Sequence, residues 1–269
     1  IIATIVCICT TGAYAADREF TFEGKYLNFP VANEAPPCLL SLEINGKKVR
    51  EFVMNLAPGE PDYWIYLEVQ DFIGKKGTLN ARKLPDNQMK GFKAIYNDDT
   101  FPGEENLYKE KLRPQFHFSS KRGWINDPNG LVYYKGEYHL FYQHNPFRWD
   151  WGNMTWGHAI STDLVHWVEQ GDKLHADELG TMFSGSGVVD WNNTTGFQTG
   201  DEPPLILIYT IAGNDSRWSE GKPFTQGIAY SNDRGRSFTK YEGNPVLPNI
   251  ERINRDPKAI WHEPTNQWV

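Results

Sequence analysis

The run Trp124-Ile125-Asn126-Asp127-Pro128-Asn129-Gly130 puts an aromatic ring, a carboxylate and two amides into one short stretch that reads as a tight chain reversal. Far downstream, Arg255-Asp256-Pro257-Lys258 supplies a second acidic turn. Pro128 biases Asp127 away from the helical region toward extended backbone. Asn129-Gly130 then reads as the point where the chain turns back, so the carboxylate is expected at a strand end, where loops build pockets. Two carboxylates on separate rigid turns are what breaking a glycosidic bond needs. The many tryptophans and tyrosines between them suit the faces of sugar rings. Each run also has a plainer reading. Asp-Pro-Asn-Gly alone is favourable β-turn chemistry, and Arg255-Asp256 alone is a surface ion pair in a turn.

The surrounding order of motifs separates these readings. After the first run come His139-Leu140-Phe141-Tyr142-Gln143-His144-Asn145-Pro146, Trp151-Gly152-Asn153, Trp156-Gly157-His158, Phe183-Ser184-Gly185-Ser186 and finally Arg255-Asp256-Pro257. This ordered set closely resembles glycoside hydrolase family 32, which includes invertases, inulinases and levanases, over roughly residues 113–269. The resemblance implies a five-bladed β-propeller with its site at the mouth of the central funnel. It implies that Asp127 is the nucleophile and Asp256 the transition-state stabiliser. It implies that Asn126, Gln143, Trp151, Ser184 and Arg255 line the subsite for the fructosyl unit, with Trp124 and Phe183 as apolar walls. The substrate it implies is sucrose or a fructan.

Elementary chemistry agrees with those roles. Cleaving a fructofuranoside develops positive charge at the anomeric carbon and ring oxygen, and an ionised carboxylate below that carbon can form a covalent fructosyl ester. Amide donors such as Asn126 favour the charged form of Asp127. Asp256 can grip sugar hydroxyls through charge-assisted hydrogen bonds, with Arg255 beside it favouring ionisation. A retaining mechanism needs one more carboxyl group, to protonate the leaving oxygen and later activate water. In the family this is a glutamate in a Glu-Cys motif some tens of residues past the Arg-Asp-Pro turn. No cysteine follows Cys38 here, and Glu263, in His-Glu-Pro, does not match. The expectation is a chain that stops before its acid/base and does not turn over substrate efficiently by itself. Fructosyl transfer to a sugar hydroxyl, and a non-catalytic fructan-binding protein, are the alternatives. A related propeller family acting on arabinans or xylans suits the first motif poorly.

The elements that must position these groups read as strands almost throughout. Leu40, Leu42 and Ile44 alternate with polar neighbours, Asn45-Gly46 gives a hairpin turn, and Val49 to Leu56 is the return strand. Tyr63, Ile65, Leu67 and Val69 alternate again, and no helical period stands out between Phe20 and Asn97. This predicts an N-terminal β-sandwich over residues 16–110, with a polar connection from Asp98 to Arg113. From residue 111 onward strands follow one another, including a hairpin at Lys135-Gly136-Glu137. Gly157 to Asp163 repeats as Gly227 to Asp233, each a strand ending in Ser-x-Asp before an aromatic, 231 − 161 = 70 residues apart. The expected fold is all-β: a sandwich followed by the first part of an incomplete five-bladed propeller.

Length and charge set the remaining bounds. A chain of 269 residues with ten tryptophans, a formal charge of −7 and a pI near 5.5 has no basic stripe for nucleic acid. Residues 1–15 read as a signal peptide lacking its basic start, with cleavage after Ala13-Tyr14-Ala15, and predict a secreted or periplasmic protein without a membrane span. Cleavage removes Cys7 and Cys9 and leaves Cys38, expected as a buried apolar side chain. His139, His144, His158 and His166 show no metal spacing and read as structural polar groups, so neither metal nor cofactor is expected. Trp149, Trp156, Trp167, Trp191, Trp261 and Trp268 are expected mostly in packing, leaving Trp124 and Trp151 for sugar.

Overall fold

The computed structural model describes residues 13–269 and is mostly β. The expected leader therefore lies almost wholly outside the described residues. The chain divides into two compact units, one ending at Glu104 and one covering Glu105–Val269. Among the described residues no helix is long and apolar enough to cross a membrane.

The first unit contains β1 (Ala13–Thr21), β2 (Tyr26–Val31), β3 (Cys38–Ile44), β4 (Lys47–Met54), β5 (Tyr63–Glu68), β6 (Lys76–Pro85), α1 (Met89–Ala94) and β7 (Tyr96–Asp98). They form an antiparallel sheet in the order β1-β6-β3-β4 and a second in the order β5-β2-β7. Asn45 and Gly46 both take positive φ, as the two-residue hairpin between β3 and β4 demands. Leu40, Leu42, Phe52 and Met54 from one sheet and Leu27, Phe29, Ile65 and Leu67 from the other are buried. Phe29 and Phe52 meet edge to face at 5.6 Å. Burial pushes the Cys38 thiol up to about 11, so it behaves as packing. The one departure is α1. It spans six residues, too few to show a periodic stripe. The Arg18 guanidinium donates to the carbonyls of Phe92, Lys93 and Ile95, groups a helix end leaves without intrahelical partners.

The second unit begins with β8 (Trp124–Tyr134), β9 (Glu137–Asn145), β10 (Thr155–Ser161) and β11 (Trp167–Leu174), joined in sequence order as one antiparallel meander. A second meander follows the same plan with β12 (Thr181–Val189), β13 (Leu205–Ala212), β14 (Thr225–Ser231) and β15 (Thr239–Lys240). A short pair, β16 (Trp261–His262) and β17 (Gln267–Trp268), comes last. Successive four-stranded meanders packed face to face are the arrangement of a β-propeller. Tyr134, Phe141 and Trp156 from the first meander share one buried cluster with Met182, Leu207 and Tyr209 from the second.

The 70-residue repeat falls on equivalent strands, since Ser161 ends β10 and Ser231 ends β14, the third strand of each meander. In both copies the serine hydroxyl donates to the aspartate two residues on and accepts a backbone N–H from the turn. The tryptophans divide more than expected. Trp156 is fully buried, whereas Trp149 and Trp191 are exposed, because both sit in connections between strands.

Candidate active site

The first motif is not a chain reversal. It forms the opening residues of β8, because Pro128 pairs with Tyr142 and Ile125 with His144. Two residues, Asn126 and Asp127, thus stand opposite one, Gln143, which is a β-bulge. A bulge re-aims side chains, and here it turns Asp127 into the same space as Gln143. β8 is the edge of its sheet, so the missing N–H of Pro128 is tolerated. A second bulge sets Gly130 and Leu131 against Leu140. Gly130 has φ +50°, and a Cβ there would lie 2.8 Å from the Phe141 ring.

A third bulge supplies the opposite wall. Phe183 pairs with Thr210 and Gly185 with Tyr209, which leaves Ser184 as the extra residue of β12. Gly185 lets the strands close there, since a Cβ would come within 2.0 Å of the Ile208 carbonyl oxygen. Ser184 Oγ donates to Asp127 Oδ2 at 2.7 Å, and Asn126 Nδ2 donates to Asp127 Oδ1 at 3.2 Å. Gln143 Nε2 donates to the Met182 carbonyl at 2.9 Å. The indole of Trp156 fixes the Phe183 carbonyl at 2.9 Å. The Trp151 ring meets Phe183 edge to face at 5.9 Å.

Asp256 comes from an irregular segment after β15 and takes φ +61°. Its N–H is held by Thr210 Oγ1 at 2.8 Å, and that hydroxyl donates to Gln226 Oε1 at 2.9 Å. Gln226 Nε2 reaches the Asn254 carbonyl, and Ser186 Oγ accepts the Ala259 N–H. The acidic turn is therefore pinned at several points to β12, β13 and β14. Arg255 Nε lies 3.6 Å from Asp256 Oδ2.

Asn126, Asp127, Gln143, Trp151, Phe183, Ser184, Arg255 and Asp256 line one cavity of about 220 Å³. Of the nine residues singled out in the sequence, only Trp124 lies outside this lining. Its indole Nε1 instead donates to Asn126 Oδ1 at 2.9 Å, which orients the amide beside Asp127. Sequence reasoning missed Thr210, Gln226, Ser186 and Trp156. Each is a polar or indole group within a strand, with no turn chemistry to mark it.

The two carboxyls are tuned in opposite directions. Hydrogen bonds from Ser184 and then Asn126 outweigh desolvation and hold Asp127 below the usual carboxylate range, and Arg255 adds to this. Desolvation, helped by the negative charge of Asp127 and opposed by Arg255, pushes Asp256 up. Asp127 is thus kept ionised and acceptor-only, as a nucleophile must be. No other lining residue carries a carboxyl group. No group of three or more His, Cys, Asp or Glu among the described residues is placed to hold a metal ion. The four histidines singled out in the sequence all sit against carboxylates or each other: His139 on His158, and His144 on Asp172. The fourth, His166, bonds Asp163.

Residues 117–269 match the sequence profile described as the glycosyl hydrolases family 32 N-terminal domain. A levanase of Bacillus subtilis is 54% identical over 167 residues, covering 62% of this chain and 24% of that protein. The crystal structure of an exo-inulinase from Aspergillus awamori superposes with a TM-score of 0.54 at 41% identity, over 60% of this chain and 35% of that one. A β-fructofuranosidase of Schwanniomyces occidentalis, solved with fructosyl-erythritol, gives a TM-score of 0.53 at 44% identity, over 58% and 30% of the two chains. The chain spans between a quarter and about a third of the length of these relatives.

Proposed function

The chain belongs to glycosyl hydrolase family 32, and from that premise we propose that its protein is a β-fructosidase that cleaves terminal fructofuranosyl units from sucrose or fructans with retention. Asp127 attacks the anomeric carbon of the fructosyl unit and forms an ester as the glycosidic oxygen departs with a proton. Water then cleaves the ester and restores the carboxylate. Asp256 holds sugar hydroxyls and strengthens its hold as positive charge develops at the ring. Gln143, Ser184, Asn126 and Arg255 fix the ring, and Trp151 and Phe183 cover its apolar edge.

One observation carries this reading: both carboxyls and six further residues from five separate motifs converge on a single cavity with room for one sugar ring. The acid/base is assigned to a residue outside the 269, because the cavity holds only these two carboxyls. Hydrolysis is favoured over transfer, as the relatives named above are a levanase, an exo-inulinase and a β-fructofuranosidase. Residues 16–110 are assigned to a β-sandwich, and the catalytic domain to the chain from residue 111 onward. The protein is assigned to the cell exterior or periplasm, in keeping with relatives described as extracellular.

The decisive experiment compares the full-length protein with its Asp127→Asn variant on sucrose, inulin and levan. Loss of fructose release by at least about 10⁴-fold is expected, since an amide is neither nucleophile nor base. Retention of more than a few per cent of activity would remove Asp127 from the mechanism.

A further inference from the structure

The cavity holds one ring, so a polymeric substrate must continue over its rim. The loop that brings Trp151 to the cavity carries a second tryptophan with no structural task. Trp149 is 65% exposed, and its indole has neither a hydrogen bond nor a ring partner among the described residues. Leaving that much aromatic surface in water forgoes the hydrophobic gain of burying it. A single exposed apolar side chain means little, but Trp149 and Trp151 are two exposed indoles on one short loop, and exposed apolar surface gathered beside a cavity is what marks a ligand groove.

The support here is rigid. Trp149 sits in the connection 146–154 between β9 and β10. Asn145, fully buried at its start, donates to the Asp150 carbonyl at 2.8 Å. The same amide oxygen accepts from Phe147 N at 3.2 Å and from Asn153 Nδ2 at 3.0 Å. Phe147 is buried beneath the loop. Arg148 and Asp150, the two neighbours of Trp149, form an ion pair at 2.8 Å. The far end of the loop is tied to β12 by the bond from Met182 N to the Met154 carbonyl at 3.1 Å.

The loop is also correctly placed. It leaves β9 two residues after Gln143 and is fastened to β12 one residue before Phe183, and both of these residues line the cavity. Trp151 on the same loop lines it too and is itself 51% exposed. Two residues of chain put Trp149 within roughly 7 Å of Trp151 by backbone reach, about the step to a neighbouring sugar.

We propose that Trp149 is a stacking platform for a sugar unit of the departing chain, outside the cavity, and that it makes oligomeric and polymeric fructans better substrates than sucrose. The proposal rests on the fructosidase reading of the cavity. An indole carried on a fixed loop suits this task because its face is apolar, its N–H can meet a hydroxyl, and only two side-chain torsions have to be ordered on binding.

The test uses the full-length protein with Trp149→Ala and Trp149→Phe. For Trp149→Ala, kcat/KM on inulin or levan is expected to fall about five- to tenfold, the range of one lost aromatic contact. Sucrose is expected to change less than twofold, and Trp149→Phe to recover most of the polymer activity. Equal losses on sucrose and polymer, no loss on either, or a lowered Tm for Trp149→Ala would each overturn the proposal. Calorimetry on an Asp127→Asn background reads the platform without turnover. There Trp149→Ala is expected to weaken binding of fructan oligosaccharides and leave free fructose unaffected; unchanged oligosaccharide affinity overturns the platform. Absence of fructose release by the wild-type protein from every substrate would instead count against the fructosidase reading.

Discussion

Removing the Ser184 hydroxyl isolates what keeps Asp127 ionised. That hydroxyl is the largest influence holding the carboxyl down, with Asn126 next. In Ser184→Ala the folded-state pKa of Asp127 rises, so the acid limb of the kcat/KM profile of the full-length protein is expected to move to higher pH. An acid limb that stays in place would show that Ser184 does not tune the nucleophile. Asp256 poses the converse case. Its carboxyl is raised in the folded state by desolvation and by Asp127. A raised carboxyl favours the protonated form on folding, so its ionisation opposes stability once the pH exceeds the unfolded value. Asp256 also takes φ +61°, a region asparagine tolerates at least as well. Asp256→Asn is therefore expected to abolish most activity and yet melt at or above wild type at pH 7, with the difference vanishing in acid. A clearly lower Tm at neutral pH would contradict this account of the pocket. Activity and stability pull apart at this residue, as they do where a site holds a charge the fold alone would not choose.

Between strands, the buried pair His139 and His158 makes the first meander sensitive to acid. His139 on β9 and His158 on β10 share one hydrogen bond at 3.0 Å and are both sealed from solvent. Burial drives His139 down to about 4, against which Glu137 pulls upward and Arg234 and Arg236 push further down. His158 is lowered in the same way by burial, with Lys173 and Arg236 adding. A depressed histidine contributes stability above its unfolded pKa near 6.5. That stability is lost as the pH falls, because the unfolded chain takes a proton the folded one refuses. Between pH 6.5 and 5 the loss steepens toward a limit of about 1.4 kcal/mol per pH unit for each such group, reached as the unfolded chain becomes fully protonated. Urea unfolding of wild type and His139→Gln across that range is expected to show a flatter slope in the variant by about one proton; parallel slopes would refute it. The same scale explains what could be read ahead of the structure. Asp127 and Asp256 were legible because each sits in a contiguous run whose residue types carry its chemistry. That Asp127 lies in a strand rather than a turn was not legible, because the bulge depends on pairing with Gln143, sixteen residues later. Thr210 and Gln226 look like any polar residue in an alternating strand until the register sets them beneath Asp256. The helix α1 is too short for periodicity, and Trp149 could not be told from packing tryptophans by type alone.

At the scale of the molecule, the question is which half of the reaction these 269 residues can perform. The cavity contains one carboxylate held ionised and a second carboxyl, and no further carboxyl to give a proton to a leaving oxygen. A natural glycoside needs that proton, since an unprotonated sugar alkoxide is a poor leaving group. A fructosyl fluoride does not need it: fluoride departs as the anion while Asp127 forms the new bond to the anomeric carbon. The second half of the cycle needs a base to activate water, and the same missing group would supply it. Purified residues 16–269 are therefore expected to release no measurable fructose from sucrose or levan. With β-fructofuranosyl fluoride they are expected to liberate about one equivalent of fluoride and then stall. Intact mass measurement should find one added fructosyl unit, and peptide mapping should place it on Asp127. The Asp127→Asn polypeptide is expected to gain nothing. Steady release of fructose from sucrose would mean that the acid lies within these residues after all. Absence of the adduct, in a polypeptide whose near-ultraviolet circular dichroism reports packed aromatic residues, would mean that Asp127 and Asp256 sharing a cavity is not enough to make the nucleophile react.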